Sequence, residues 1–271
     1  MGVFFLFLLA TSAGCLSTLY SIRESDLGRG YFQMNALIIL GLLGLAVTMF
    51  WLHPFAPFEG AVTPGAISLH AAFVGAFLYY AFVWRRRWSG GRWAVTLSLA
   101  GSVGALLLAG VALIREVAPL PHRTLLLVAT LIASALLLGW SLITMLLGHW
   151  YLVAPRLAFR HLTLFCWVLL ALVLVRGLTV GSSLIFASTV NDLLDPHPLR
   201  ILTGFAGQGM FFWFRILWGL AIPLLLAVMS LNCAIRKSNQ SATGILYVLV
   251  VGTFIGEITA LYVTLSVGVP I

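Results

Sequence analysis

Eight stretches of this sequence stay apolar for about twenty residues each. They run approximately over 3–22, 34–52, 66–84, 93–114, 124–147, 162–188, 209–233 and 244–267. A helix rises about 1.5 Å per residue, so roughly 20 residues cross the ~30 Å hydrocarbon core of a bilayer. Soluble domains carry about 25% charged residues. This chain carries 8%, against 62% hydrophobic, and cannot make a water-soluble surface. The expected fold is all-α: a polytopic transmembrane bundle of about eight helices, one integral membrane domain over residues 1–271, with no soluble domain.

Polar, Pro- and Gly-rich punctuation separates the spans, as in "HPFAPFEGAVTPG", "RRRWSGGR" and "NDLLDPHPLR". Alternate loops hold ten basic residues: Arg23, Arg29, Arg85, Arg86, Arg87, Arg92, Arg156, Arg160, Arg236 and Lys237. The opposite loops hold Arg115, Arg123 and Arg200, with the acids Glu59, Glu116, Asp192 and Asp195. The positive-inside rule puts the ten in the cytoplasm and both termini in the periplasm of a bacterial inner (cytoplasmic) membrane. The net charge of +8 therefore reports orientation and is no nucleic-acid signal. "LLATSAGC" loosely resembles a lipoprotein cleavage site at Cys15, but no basic residues precede it and the apolar run continues to Tyr20. Residues 1–22 are expected to stay as the first membrane helix. Trp150 and Tyr151 at one edge, and Phe211, Phe212 and Trp213 at the other, suit interfacial belts.

Charges inside the spans are few. Of seven acids only Glu257 is intramembrane, and of fifteen basic residues only Arg176 and Arg215. An unpaired charge at that depth costs several kcal/mol, so each should face the bundle interior and find a partner. Counting from the span ends, Glu257 and Arg176 both lie ~20 Å from the cytoplasmic side, and Arg215 ~9 Å below the other face. All three reach one level in the periplasmic third. The expectation is a single buried cluster of Glu257, Arg176 and Arg215, with His70 as a neighbour. The glycine pairs Gly177/Gly181 and Gly252/Gly256 flank the charges and would allow close helix approach. Such a cluster either fixes helix packing or serves as a site for a polar head group or a proton path.

The other candidate ligands are scattered. Of His53, His70, His122, His149, His161 and His197, only His70 lies clearly within a span. No facing histidine pair is visible for a membrane haem, although His149 and His161 flank one cytoplasmic loop. Cys15, Cys166 and Cys233 are isolated in apolar segments and read as apolar filler. No haem or metal is expected, and no nucleotide or hydrolase motif occurs.

Three functions remain open. The first is a membrane subunit of a respiratory or electron-transfer complex that binds quinol, with quinone as its cofactor. Glu257 or His70 would accept the proton, while Arg176 and Arg215 would hold a quinone oxygen. The second is a proton- or ion-coupled transporter, for which broken helices would be the sign and Pro223 is the one internal proline in a late span. The third is a non-catalytic scaffolding subunit. Eight helices, about 270 residues, an outer-side polar site and "GEITALY" in the last helix resemble the NrfD/polysulfide-reductase membrane subunits and the DMSO-reductase anchor. That resemblance implies redox partner subunits and a quinol site fed from the lipid bilayer.

Overall fold

The computed structural model describes residues 1–22, 27–53, 63–85, 88–117, 121–153, 160–189 and 198–271. Among them the regular structure is helix, with no strand. The helices are α1 (Gly2–Tyr20), α2 (Arg29–Leu52), α3 (Pro64–Trp84), α4 (Trp88–Val117), α5 (Pro121–Val153) and α6 (Arg160–Thr189). A short helix, Pro198–Thr203, precedes α7 (Gln208–Ile235), and α8 is Asn239–Val267. Eight of them are long and apolar enough to cross a membrane. The chain is a multi-pass helical membrane protein. Most helices exceed their expected spans by several residues, because helical geometry continues past the apolar window into the interface. The loop expectation for "NDLLDPHPLR" fails at its end, where Pro198 opens the short helix.

Helix α1 forms the centre. It is apolar on every side, and 78% of its most apolar stretch is buried, as expected of a helix with no polar face. It packs on α2, α4, α5 and α8. On one flank α3 lies against α2 and α4; on the other, α5, α6, α7 and α8 pack together. Small residues set the closest crossings. Gly14 of α1 meets Gly139 of α5 so closely that a Cβ on either would overlap backbone of the other helix. Serine and threonine hydroxyls inside the bundle mostly turn back on their own helix, as in Thr11 to the Phe7 carbonyl at 2.8 Å and Ser141 to the Leu138 carbonyl at 2.8 Å.

Side chains close both ends of α3. Thr63 caps α3, its hydroxyl accepting from the Ala66 N–H at 3.3 Å, with Pro64 next in line. At the other end of α3, Arg29 donates from Nε to the Val83 carbonyl at 2.8 Å, and its Nη2 reaches the Trp84 carbonyl. Those are terminal carbonyls that lack a helical donor. The aromatic belts are only partly formed. Tyr151 and Phe212 are buried, whereas Trp213 is exposed and donates from Nε1 to the Thr203 carbonyl at 3.3 Å.

Candidate functional site

Helices α5, α6, α7 and α8 converge on one carboxylate. Glu257 is 0% exposed, Arg215 0% and Arg176 1%. Arg176 of α6 contacts both oxygens: Nε lies 3.0 Å from Oε1 and 3.2 Å from Oε2, and Nη2 lies 3.0 Å from Oε2. Arg215 of α7 donates from Nη2 to Oε1 at 2.7 Å. Ser134 of α5 donates its hydroxyl to Oε2 at 2.6 Å. Two guanidiniums and one hydroxyl thus engage one carboxylate out of water, the condition under which a buried charge is tolerable. Taken as ions, the three charged groups leave one net positive charge inside the bundle.

The rest of the Arg176 guanidinium is also engaged. Arg176 donates from Nη1 to the Thr179 hydroxyl at 3.1 Å and from Nη2 to the main-chain oxygen of Ile271 at 2.8 Å. That last contact exists because α8 ends at Gly268, in the left-handed conformation (φ 74°) that a glycine adopts without strain. The chain turns there. Ile271 then returns to donate its N–H to the Thr264 hydroxyl at 3.1 Å, and Val269 and Ile271 are buried beside Ala187, Leu202, Phe212 and Val263.

Arg215 is held by a defect in its own helix. A helical carbonyl accepts from the N–H four residues on. For Gly219 that residue is Pro223, which has no N–H. The helix widens into a π-helical turn over Leu217–Ala221, and Arg215 Nη1 donates to the Gly219 carbonyl at 2.8 Å. The pattern "RILWGLAIP" therefore spaces an arginine, a glycine and a proline four apart, each serving the next. Gly219 also lets α7 approach α8, since a Cβ on Gly256 would overlap Gly219 Cα. Three buried polar atoms of these helices have no hydrogen-bond partner: Arg215 Nε and the hydroxyls of Thr253, one turn before Glu257, and Thr130, one turn before Ser134.

The expected triad of Glu257, Arg176 and Arg215 is thus one contact set. His70 is not part of it. Its Nδ1 lies 2.7 Å from the Ala66 carbonyl, and its ring packs edge-on against Phe50 and Trp51, with centroids 5.7 Å and 5.8 Å away. It sits on α3, on the opposite flank of α1, where shared depth does not bring it to the carboxylate. The glycine expectation is half right. Gly252 and Gly256 face α7, but Gly177 and Gly181 have no atom within 4 Å of an added Cβ and make no close crossing. Ser134, Thr179, Gly219 and Ile271 were not anticipated. Ser134 looks like any other small polar residue in an apolar run, whereas the Arg215–Gly219–Pro223 spacing was readable.

Between α6 and α7 lies an apolar cavity of about 580 Å³, open on its outer side and lined by sequence neighbours of Arg176 and Arg215. Val173, Leu174 and Gly177 form one wall, and Ile216, Leu220 and Leu224 the other.

The remaining candidates fall elsewhere. His149 meets Tyr247, Nδ1 to hydroxyl 3.1 Å, on an exposed edge. His53 closes α2, its N–H bonding the Met49 carbonyl at 3.0 Å. His197, Glu59, Asp192 and Asp195 lie outside the described residues. Among those residues no three histidine, cysteine or acidic side chains gather as a metal site. No protein-family model, curated protein or solved structure matches this chain.

Proposed function

We propose that the chain is the quinol-binding membrane subunit of an electron-transfer complex, with the Arg176–Glu257–Arg215 cluster as its head-group site. The observation that carries this reading is the fully buried Arg176–Glu257–Arg215 cluster, with Arg215 Nε left without an acceptor. Ionisable groups in such places are functional by default. A quinone oxygen is an uncharged acceptor that can enter from lipid and take that donor. Positive-inside orientation puts the cluster on the periplasmic side of a bacterial inner membrane. The likeness to NrfD-type subunits belongs to the same reading.

The chemistry divides between chains. A quinol gives up two electrons and two protons. The electrons pass to an iron–sulfur or haem centre on a partner subunit. A head group that took one arginine N–H from Glu257 would free a carboxylate lone pair to accept one quinol proton, and the second proton would leave to water on the periplasmic side. His70 has no place in this step. Arg176 and Arg215 hold the quinone oxygens and keep the carboxylate oriented.

The test is purification in mild detergent, followed by analysis for extractable quinone, haem absorbance and co-purifying subunits. Quinone together with an iron–sulfur or cytochrome partner supports the reading. A lone protein without quinone overturns it and moves the assignment to a proton-coupled transporter. One observation already favours that second reading: the π-helical turn and Pro223 break α7 at the cluster, as in transporters with discontinuous helices.

A further inference from the structure

We infer that the apolar cavity between α6 and α7 seats the isoprenoid tail of the quinone whose head group meets the arginines, an inference that rests on the quinol-binding reading. The cavity is set by sequence neighbours of the two arginines. Val173, Leu174 and Gly177 bracket Arg176 on α6, while Ile216 and Leu220 follow Arg215 on α7. Its volume of about 580 Å³ falls in the range of small-molecule sites, roughly 300–1,000 Å³. Its walls are apolar, so only a hydrocarbon portion of a ligand is matched there.

Gly177 supplies the second observation. In a membrane helix, glycine ordinarily marks a close crossing. Here an added Cβ would meet nothing within 4 Å. The missing side chain leaves width in the cavity and does not bring helices together.

Depth selects the occupant. Arg176 stands 16 positions after Arg160 and 13 before Thr189, near the middle of its helix. A phospholipid keeps its charged head at the interface, about 10 Å from the arginines by the count of helical rise. A quinone head carries no net charge and remains at this level. Its tail then extends from the arginines into the cavity.

Gly177→Leu should fill part of the cavity, since a Cβ at this position meets no atom within 4 Å and the rest of the side chain packs on the apolar walls. Wild type and variant are placed in quinone-free phosphatidylcholine nanodiscs and titrated with decylubiquinone and with tailless duroquinone. Tryptophan quenching is the readout, with concentrations normalised to the lipid phase. The expected result is about tenfold weaker binding of decylubiquinone by the variant, with duroquinone binding and thermal midpoint unchanged. Equal decylubiquinone binding by both proteins overturns the tail seat and leaves the head-group reading standing. Equal weakening of both quinones also overturns it, because the substitution then acts on the head-group site. No binding of either quinone to wild type overturns the reading and the seat together. A phospholipid retained by wild type and lost by the variant in native mass spectrometry, with quinone binding unaltered, assigns the cavity to an acyl chain and overturns the proposal.

Discussion

Gly219 and Gly256 meet backbone to backbone where α7 crosses α8, one turn after Arg215 and one residue before Glu257. The crossing is what brings the second arginine to the carboxylate. A Cβ at Gly256 overlaps Gly219 Cα, and backbone cannot swing aside as a side chain can. Gly256→Ala should therefore cost about 1–3 kcal/mol of stability. Gly177→Ala, with open space around it, should stay within about 0.5 kcal/mol of wild type. Unfolding in detergent compares the two, and equal effects would contradict the crossing.

Charge decides the next contrast. Glu257→Gln leaves two buried arginines without a carboxylate, whereas Arg176→Leu leaves one arginine with one carboxylate. Removing one partner from a buried pair costs roughly 3–5 kcal/mol. Glu257→Gln should be the more destabilising, although it retains an acceptor oxygen. The reverse order of thermal midpoints would mean that hydrogen-bond count outweighs charge in this cluster.

Pro223 and Arg215 should be coupled. Pro223→Ala restores an N–H that competes with Arg215 for the Gly219 carbonyl. Arg215→Leu should then be less destabilising in the Pro223→Ala background, by about 0.5–1.5 kcal/mol. A double-mutant cycle measures this, and strict additivity would show that the proline does not position the arginine.

His70 is expected to be dispensable for the cluster. His70→Phe keeps a ring between Phe50 and Trp51 and loses only the contact with the Ala66 carbonyl. Quinone binding by this variant should match wild type within about twofold, and stability should fall by roughly 1 kcal/mol. Loss of quinone binding would return His70 to the site.

Orientation is tested by labelling cysteines in whole cells with a membrane-impermeant maleimide. His53→Cys and Ser238→Cys both place a thiol at an exposed helix end. The basic loops predict that His53→Cys labels from outside and that Ser238→Cys labels only after lysis. The opposite pattern would invert the topology.

The sequence by itself determined the class of fold and the membership of the charged cluster. Both follow from the bilayer, which demands apolar helices of fixed length and forces three lone charges at one depth to seek each other. Depth along a helix is legible because the rise per residue is constant. The side of the bundle a residue faces is not. His70 matches the cluster in depth but sits on α3, across α1, because helix neighbours are chosen by packing that no single span encodes. Tertiary structure also decided which glycines are crossings and which leave space: Gly256 meets Gly219, while Gly177 opens a cavity. Ser134 of α5 and the Ile271 oxygen entered the site in the same way, through contacts between segments 123 and 95 residues apart in the chain from Glu257 and Arg176, respectively.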